Sequence, residues 1–165
     1  MEGLIRPLGA ADREIFIRLY TDMYAEMESM GMPLRFNPAE VPNLVEGFLK
    51  SKFVTSLGLE MRDDHMTAGS IRGFAIGSQI RLPGKYQPPG GATPWIGFID
   101  DVYLVPDLRS AGWGAGLVRD LERELKKRGV CYIELRVLTS NPAGHQFWRK
   151  MGYQDYVNLM YKPLS

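Results

Sequence analysis

The chain has 165 residues, 45% of them hydrophobic, and its 20 basic and 19 acidic residues leave a formal net charge of +1. That size and content suit one domain, residues 1–165, with its own core, and no apolar run reaches the ~20 residues of a membrane-spanning helix. The balanced charge offers no strong field for nucleic acid, the start has no secretion-signal profile, and the lone Cys131 can form neither an internal disulfide nor a cysteine-rich metal site, so the expectation is a cytoplasmic protein without a metal, a membrane anchor or a nucleic-acid partner.

Leu4–Leu8 reads as a short first strand. Asp12 then stands where it can cap a helix whose apolar positions, Ile15, Phe16, Leu19, Tyr20, Met23 and Met27, recur at spacings of three and four. The Met30–Pro33 break ends it, and Val41, Leu44, Val45, Phe48 and Leu49 predict a second helix from Pro38 to about Lys52. Val54–Met61 and Ile71–Leu82 read as paired strands joined by the polar stretch Arg62–Ser70. Pro83–Pro94 connects them to the apolar run Trp95–Val105, which Pro106 closes and whose β-branched and aromatic content marks a buried strand. Beyond a glycine-rich turn, Leu117, Leu121 and Leu125 set out a helix from Leu117 to Arg128. Cys131–Leu138 alternates as a strand. Asn141 and Pro142 then open a short helix, Ala143–Lys150, that Gly152 terminates, and a closing strand runs from about Tyr153 to Tyr161. The expected fold class is therefore α/β, a single mixed sheet flanked by helices.

The turn Arg109-Ser-Ala-Gly112-Trp-Gly114-Ala-Gly116 lies between a buried strand and a helix start. Glycines there let backbone N–H groups face outward, and the helix N-terminus adds unpaired donors and positive potential, which suits an anionic phosphate. The turn lacks the Gly-Lys-Ser/Thr ending of a P-loop and the third glycine of a dinucleotide fingerprint. Its spacing, Arg109-x-x-Gly112-x-Gly114 after Val105-Pro106, resembles the acyl-CoA pyrophosphate turn of the GNAT family of N-acetyltransferases. The run Asn141-x-x-Gly144-x-x-Phe147-Trp148-x-Lys150-x-Gly152-Tyr153 is similar to that family's second signature.

The resemblance implies a sheet whose two central strands splay apart and acetyl-CoA as the cosubstrate. It implies that the pantetheine arm pairs with the backbone of Val102, Tyr103 and Leu104, and that the diphosphate rests on N–H groups of Arg109, Ser110, Ala111, Gly112, Trp113, Gly114 and Ala115. The Arg109 side chain would add charge. Ser110 stands where many members have glycine, which narrows the φ open to the turn. Asn141, Trp148 and Lys150 match positions near the cofactor, although Asn141 reads equally as a helix cap and a lysine placed like Lys150 is usually only a solvated charge.

For the base, Asp100 and Asp101 are adjacent carboxylates that a regular strand would send to opposite faces. Asp100 is favoured, acting through water, with Asp101 second, and a paired or capping role for either aspartate stands equally beside that reading. Trp148 occupies the position where many members carry a proton-donating tyrosine, and an indole N–H transfers no proton at neutral pH. Either the thiolate leaves unaided, or Tyr103 or Tyr153 supplies the proton. The implied activity is acetyl transfer to a primary amine of a small molecule by direct attack in a ternary complex. The missing tyrosine also motivates a different reading, a non-catalytic CoA-binding sensor or interaction module. On the expected acceptor side, Glu26 and Glu28 hint at a cationic amine, while Arg35 argues equally for one bearing a carboxylate. His65 and His145 are isolated and suggest no metal site. Relatives often form homodimers, to which the closing strand could contribute.

Overall fold

The computed structural model describes residues 2–62, 69–88 and 93–164. Five strands, β1 (Glu2–Pro7), β2 (Val54–Arg62), β3 (Ser70–Arg81), β4 (Trp95–Leu104) and β5 (Ile133–Leu135), lie side by side in chain order. The first four are antiparallel, whereas β5 runs parallel to β4. Parallel neighbours need a crossover, supplied by helix α3 (Trp113–Lys127). Helices α1 (Arg13–Ser29) and α2 (Val41–Lys50) join β1 to β2, and α4 (Pro142–Lys150) follows β5. Most of the β2–β3 connection and part of the β3–β4 connection, residues 63–68 and 89–92, lie outside the described residues. No helix among the described residues is long and apolar enough to cross a membrane.

The helices cover both faces of the sheet, as the apolar spacings require. Phe16, Leu19, Tyr20 and Met23 of α1 and Val41 and Val45 of α2 pack on Ile71, Phe74 and Ile76. On the other face Leu117, Val118, Leu121 and Leu125 of α3 pack on Leu57, Leu59, Ala75 and Ile99. Each fully buried side chain of this size contributes about 1.5–3 kcal/mol.

Several boundaries differ from the sequence reading. Residues 38–40 form a tight 3-10 turn before α2. Helix α3 starts at Trp113 rather than Leu117, because Gly112 takes a left-handed conformation and its carbonyl already accepts the N–H of Gly116 at 3.1 Å. Of the predicted strand Cys131–Leu138 only Ile133–Leu135 is a strand, and residues 153–161 form none. Both losses have one cause, since a strand exists only where a neighbour accepts its hydrogen bonds. β4 and β5 pair only through Gly97–Ile99 and Ile133–Leu135, yet β4 runs on to Leu104. The splay expected between the central strands is that stretch, where β4 has β3 on one side and no strand on the other.

Gly73 lies directly behind this stretch, where an added Cβ would sit 2.3 Å from Leu104 Cδ2 and 2.8 Å from the Tyr103 carbonyl oxygen. The Gly73→Ala variant is expected to lose about 1–3 kcal/mol of stability. By contrast Gly47, inside α2 where such a Cβ would meet nothing within 4 Å beyond the adjoining backbone of its own helix, should gain about 0.5–1 kcal/mol as alanine. Urea unfolding midpoints moving in opposite directions would bear this out; equal shifts would not.

Candidate active site

The register between β3 and β4 slips by one residue. Asp101 opposes Ile76 but Ile99 opposes Gly77, so Asp100 is an extra residue, a β-bulge. In a regular strand residues 99 and 101 would share a face. Here Ile99 enters the α3 core while Asp101 stays with Ile76 and Tyr103 on the face covered by α1. Asp100 turns to the same face, where its carboxylate accepts a hydrogen bond from the hydroxyl of Ser78, the residue opposite Phe98. The expectation that the two carboxylates point to opposite faces is thereby corrected, and the bulge is the reason.

Asp101 rather than Asp100 is the more perturbed of the two. Tyr20 of α1 donates its phenol proton to Asp101 Oδ2 at 2.8 Å. Burial, against that hydrogen bond and with the charge of Asp100 adding to it, pushes the Asp101 carboxyl up to about 7. Asp100 is also raised by burial, with the Ser78 hydrogen bond opposing the shift. Tyr20 and Tyr24, one helical turn apart, are both raised by burial and by the Asp101 charge, so each phenol keeps its proton. Tyr24 stacks on Phe36 with centroids 4.3 Å apart and leans on Tyr20 at 5.1 Å, forming an aromatic wall beside the carboxylates. A group poised near 7 in such a setting is suited to accept a proton at neutral pH.

At the end of β4 the chain passes through a short turn, Pro106–Leu108, into the glycine-rich segment. Ser110 has φ +65° and Gly112 +88°, and Ser110 is the only non-glycine residue with positive φ among the described residues. Thus Ser110 adopts the conformation that glycine favours. Alternation of left- and right-handed residues turns successive N–H groups to one side. The amides of residues 110–115 donate to no backbone or side-chain acceptor among the described residues, and the 15-residue α3 directs its positive end there.

The Arg109 side chain, expected to face a diphosphate, is turned to α1 instead. Its Nη1 and Nη2 donate to both carboxylate oxygens of Glu26 at 2.6 and 2.7 Å, and its Nε donates to the Leu104 carbonyl at 3.0 Å. The guanidinium stands 5.5 Å over the Tyr103 ring. Tyr103 itself is buried, and burial with the nearby Glu26 charge raises its phenol. Its backbone, with those of Val102 and Leu104, forms the stretch of β4 that has no strand on the β5 side.

Of the downstream residues, Asn141 acts as the cap of α4: its Oδ1 accepts the Gly144 N–H at 2.9 Å. Trp148 lies between Phe147 and Tyr153 in edge-on contacts of 4.9 and 5.2 Å and packs toward α3. Trp113, although its backbone begins α3, drops its ring onto Gly3 and Met61. Lys150 is exposed in the last turn of α4, a favourable place for a cation. Tyr153 donates its hydroxyl proton to Glu122 at 2.8 Å, and burial with that partner raises its phenol. Sequence reasoning placed Tyr20 in the core and missed Tyr24, Ser78 and the Glu26–Arg109 pair. Two tyrosines at i and i+4 on an otherwise apolar helix face were the available signal.

Residues 21–153 match the model of the acetyltransferase (GNAT) family. A glucosamine 6-phosphate N-acetyltransferase of Trypanosoma brucei brucei is 26% identical over 152 residues, 90% of this chain and 94% of that protein. Among solved structures, a tetramutant of the BH1408 protein from Bacillus halodurans superposes with TM-score 0.78 at 21% identity, covering 98% of this chain and 99% of that one. A predicted acetyltransferase from Clostridium acetobutylicum, solved with acetyl-CoA, gives 0.75 at 17% identity, covering 98% and 96%.

The left-handed Ser110 generates a direct test. A non-glycine residue there carries about 1–2 kcal/mol of strain, part of which glycine returns to the unfolded chain as entropy. The Ser110→Gly variant should gain roughly 0.5–1 kcal/mol by urea unfolding, whereas a β-branched Ser110→Val should lose stability. A Val variant as stable as the parent would show that the turn relaxes freely.

Proposed function

Because this chain belongs to the acetyltransferase (GNAT) family, we propose that its slot holds acetyl-CoA against β4 while the α1 side admits the primary amine of a small molecule. The chain is an N-acetyltransferase with acetyl-CoA as cosubstrate. The observation that carries the assignment of the slot is the run of unpartnered amides at residues 110–115, set at the positive end of α3 and beside the stretch of β4 without a strand neighbour. These donors fit a diphosphate, and the β4 backbone of Val102, Tyr103 and Leu104 fits the amides of a pantetheine arm. The Arg109 N–H donates to the Pro106 carbonyl at 3.2 Å and its side chain is held by Glu26, so the available donors begin at Ser110.

The amine attacks the thioester carbonyl directly in a ternary complex. A C–N bond forms as the C–S bond breaks, a β4 N–H polarises the carbonyl, and the proton released from nitrogen passes to Asp101 directly or through water. Asp100 and Ser78 hold the bulge that presents Asp101. A thiol has a pKa of about 8.5, so the thiolate is a tolerable leaving group and takes its proton from solvent. The raised phenol of Tyr103 and the engaged phenol of Tyr153 support departure without a dedicated acid. On the α1 side the side-chain partners of Asp100 and Asp101 are the neutral hydroxyls of Ser78 and Tyr20, and Arg109 is already paired with Glu26, which favours a cationic amine.

Two measurements test this reading. Asp101→Asn should lower kcat/KM by about 100-fold or more with CoA affinity unchanged, and Asp100→Asn by less. In the parent enzyme the acidic limb of kcat/KM should titrate near pH 7. Tight CoA binding without turnover on any amine would return the non-catalytic reading, and absence of CoA binding would remove the slot assignment. The same group sets a stability prediction. Its folded pKa, about 7, exceeds the unfolded value near 3.8, so the folded state binds the extra proton and stability falls as pH rises from about 4 to 7. The Asp101→Asn variant should therefore be the more stable protein at pH 8, and the advantage should vanish at pH 4.

A further inference from the structure

Tyr20 carries a polar group into an apolar setting. Its ring is 2% exposed and is enclosed by Phe16 and Tyr24 of its own helix, Phe48 of α2 and Phe74 of β3, at centroid distances from 5.1 to 6.2 Å. Packing alone would be served by phenylalanine, as it is at positions 16, 48 and 74, whereas a buried hydroxyl needs a partner. The partner is Asp101 Oδ2, 2.8 Å away across the interface of α1 and β4. Among the described residues no other side chain donates to this carboxylate. Asp101 is half-buried, so its Oδ2 is committed while its Oδ1 has no partner among those residues.

The bulge decides which face Asp101 takes, but the last torsion of an aspartate is soft and leaves the carboxylate free to turn. Nothing else around Asp101 removes that freedom. From β4 the same face carries Asp100 and Tyr103, from α1 Tyr20 and Tyr24 with Glu26 farther along, and from the turn Arg109, which Glu26 holds. β3 places Ile76 and the neutral Ser78 there, and α2 adds Val41, Val45, Phe48 and Leu49. Burial and the Asp100 charge raise the Asp101 carboxyl, and the Tyr20 hydrogen bond opposes both. Burial also raises the Tyr20 phenol, so Tyr20 keeps its proton and can act only through Asp101.

We propose that Tyr20 is a positioning residue for acetyl transfer: its clamped hydroxyl fixes the Asp101 carboxylate through Oδ2 and leaves Oδ1 as the atom that takes the amine proton. The proposal rests on the reading of Asp101 as the base. In that step the amine nitrogen bonds to the acetyl carbon and loses one proton to Oδ1. The C–S bond breaks with its electron pair on sulfur, and Asp101 returns the proton to water before the next turnover. The tether also holds the base in register with α1, the helix on the amine's side of the slot.

Tyr20→Phe in the full chain deletes the hydroxyl and keeps the ring. Its kcat/KM should show an acidic limb about one to two pH units above the parent's, because the hydrogen bond that favours the carboxylate is gone. Below that limb kcat rather than KM should take the loss, about 10-fold or more, with CoA affinity unchanged. The carbon-13 carboxyl resonance of Asp101 in the substrate-free protein should titrate higher by the same interval, a readout that does not depend on turnover. A ring-fluorinated tyrosine installed at position 20, more acidic and nearly the same size, should move both midpoints down instead. Midpoints unmoved in either folded variant would overturn the proposal, and an inactive Asp101→Asn would still leave Asp101 as the base. Turnover retained in Asp101→Asn would remove the base, and the positioning role with it.

Discussion

One extra residue in β4 decides which way its two adjacent carboxylates face. The bulge at Asp100 reverses the side-chain phase of the strand between Ile99 and Asp101. Upstream, Ile99 fills the core beneath α3; downstream, Asp101 and Tyr103 face α1. A regular strand would bury a carboxylate among the leucines of α3, where no partner exists for it. With the bulge, the same carboxylate meets the Tyr20 hydroxyl and a second carboxylate. Bulges of this kind re-aim side chains beside functional sites at the expense of ladder regularity.

The arrangement is electrostatically strained in one place and relaxed elsewhere. Asp100 and Asp101 share one face of the sheet with few hydrogen-bond donors, and burial holds both carboxyls above their ordinary range. Other buried carboxylates have strong partners: Asp12 and Glu60 both bond Arg6, which pulls them below their usual range and ties β1 to the start of α1 and to β2. The contrast is between buried carboxylates paired with an arginine and buried carboxylates whose partners are neutral hydroxyls. A carboxylate committed to an arginine cannot readily take up a proton at neutral pH, whereas one held near 7 can.

The slot is also shaped by what its neighbours are doing. Trp113 and Trp148, both within the signature runs, spend their rings on packing against β1, β2 and α3. Asn141 is taken by its cap, and Arg109 joins the turn to α1 through Glu26. What the turn offers an anion is therefore main chain, presented by a left-handed Ser110 and Gly112 and by the first turn of α3. Main-chain donors are fixed in direction by the fold and need no side-chain ordering on binding.

The residue pattern by itself determined the helices with clear apolar faces, the central strands, and the glycine-rich turn before α3, because hydrophobic periodicity and glycine placement are local properties. Phe16, Leu19 and Leu121 are buried where their spacing places them. Everything that depends on which segments meet was left to tertiary structure. The face of Asp101 depends on register with β3, the commitment of Arg109 depends on the approach of α1, and the length of β5 depends on what lies along its outer edge. A strand's pattern states that it can pair, but only a neighbour supplies the hydrogen bonds that make it one.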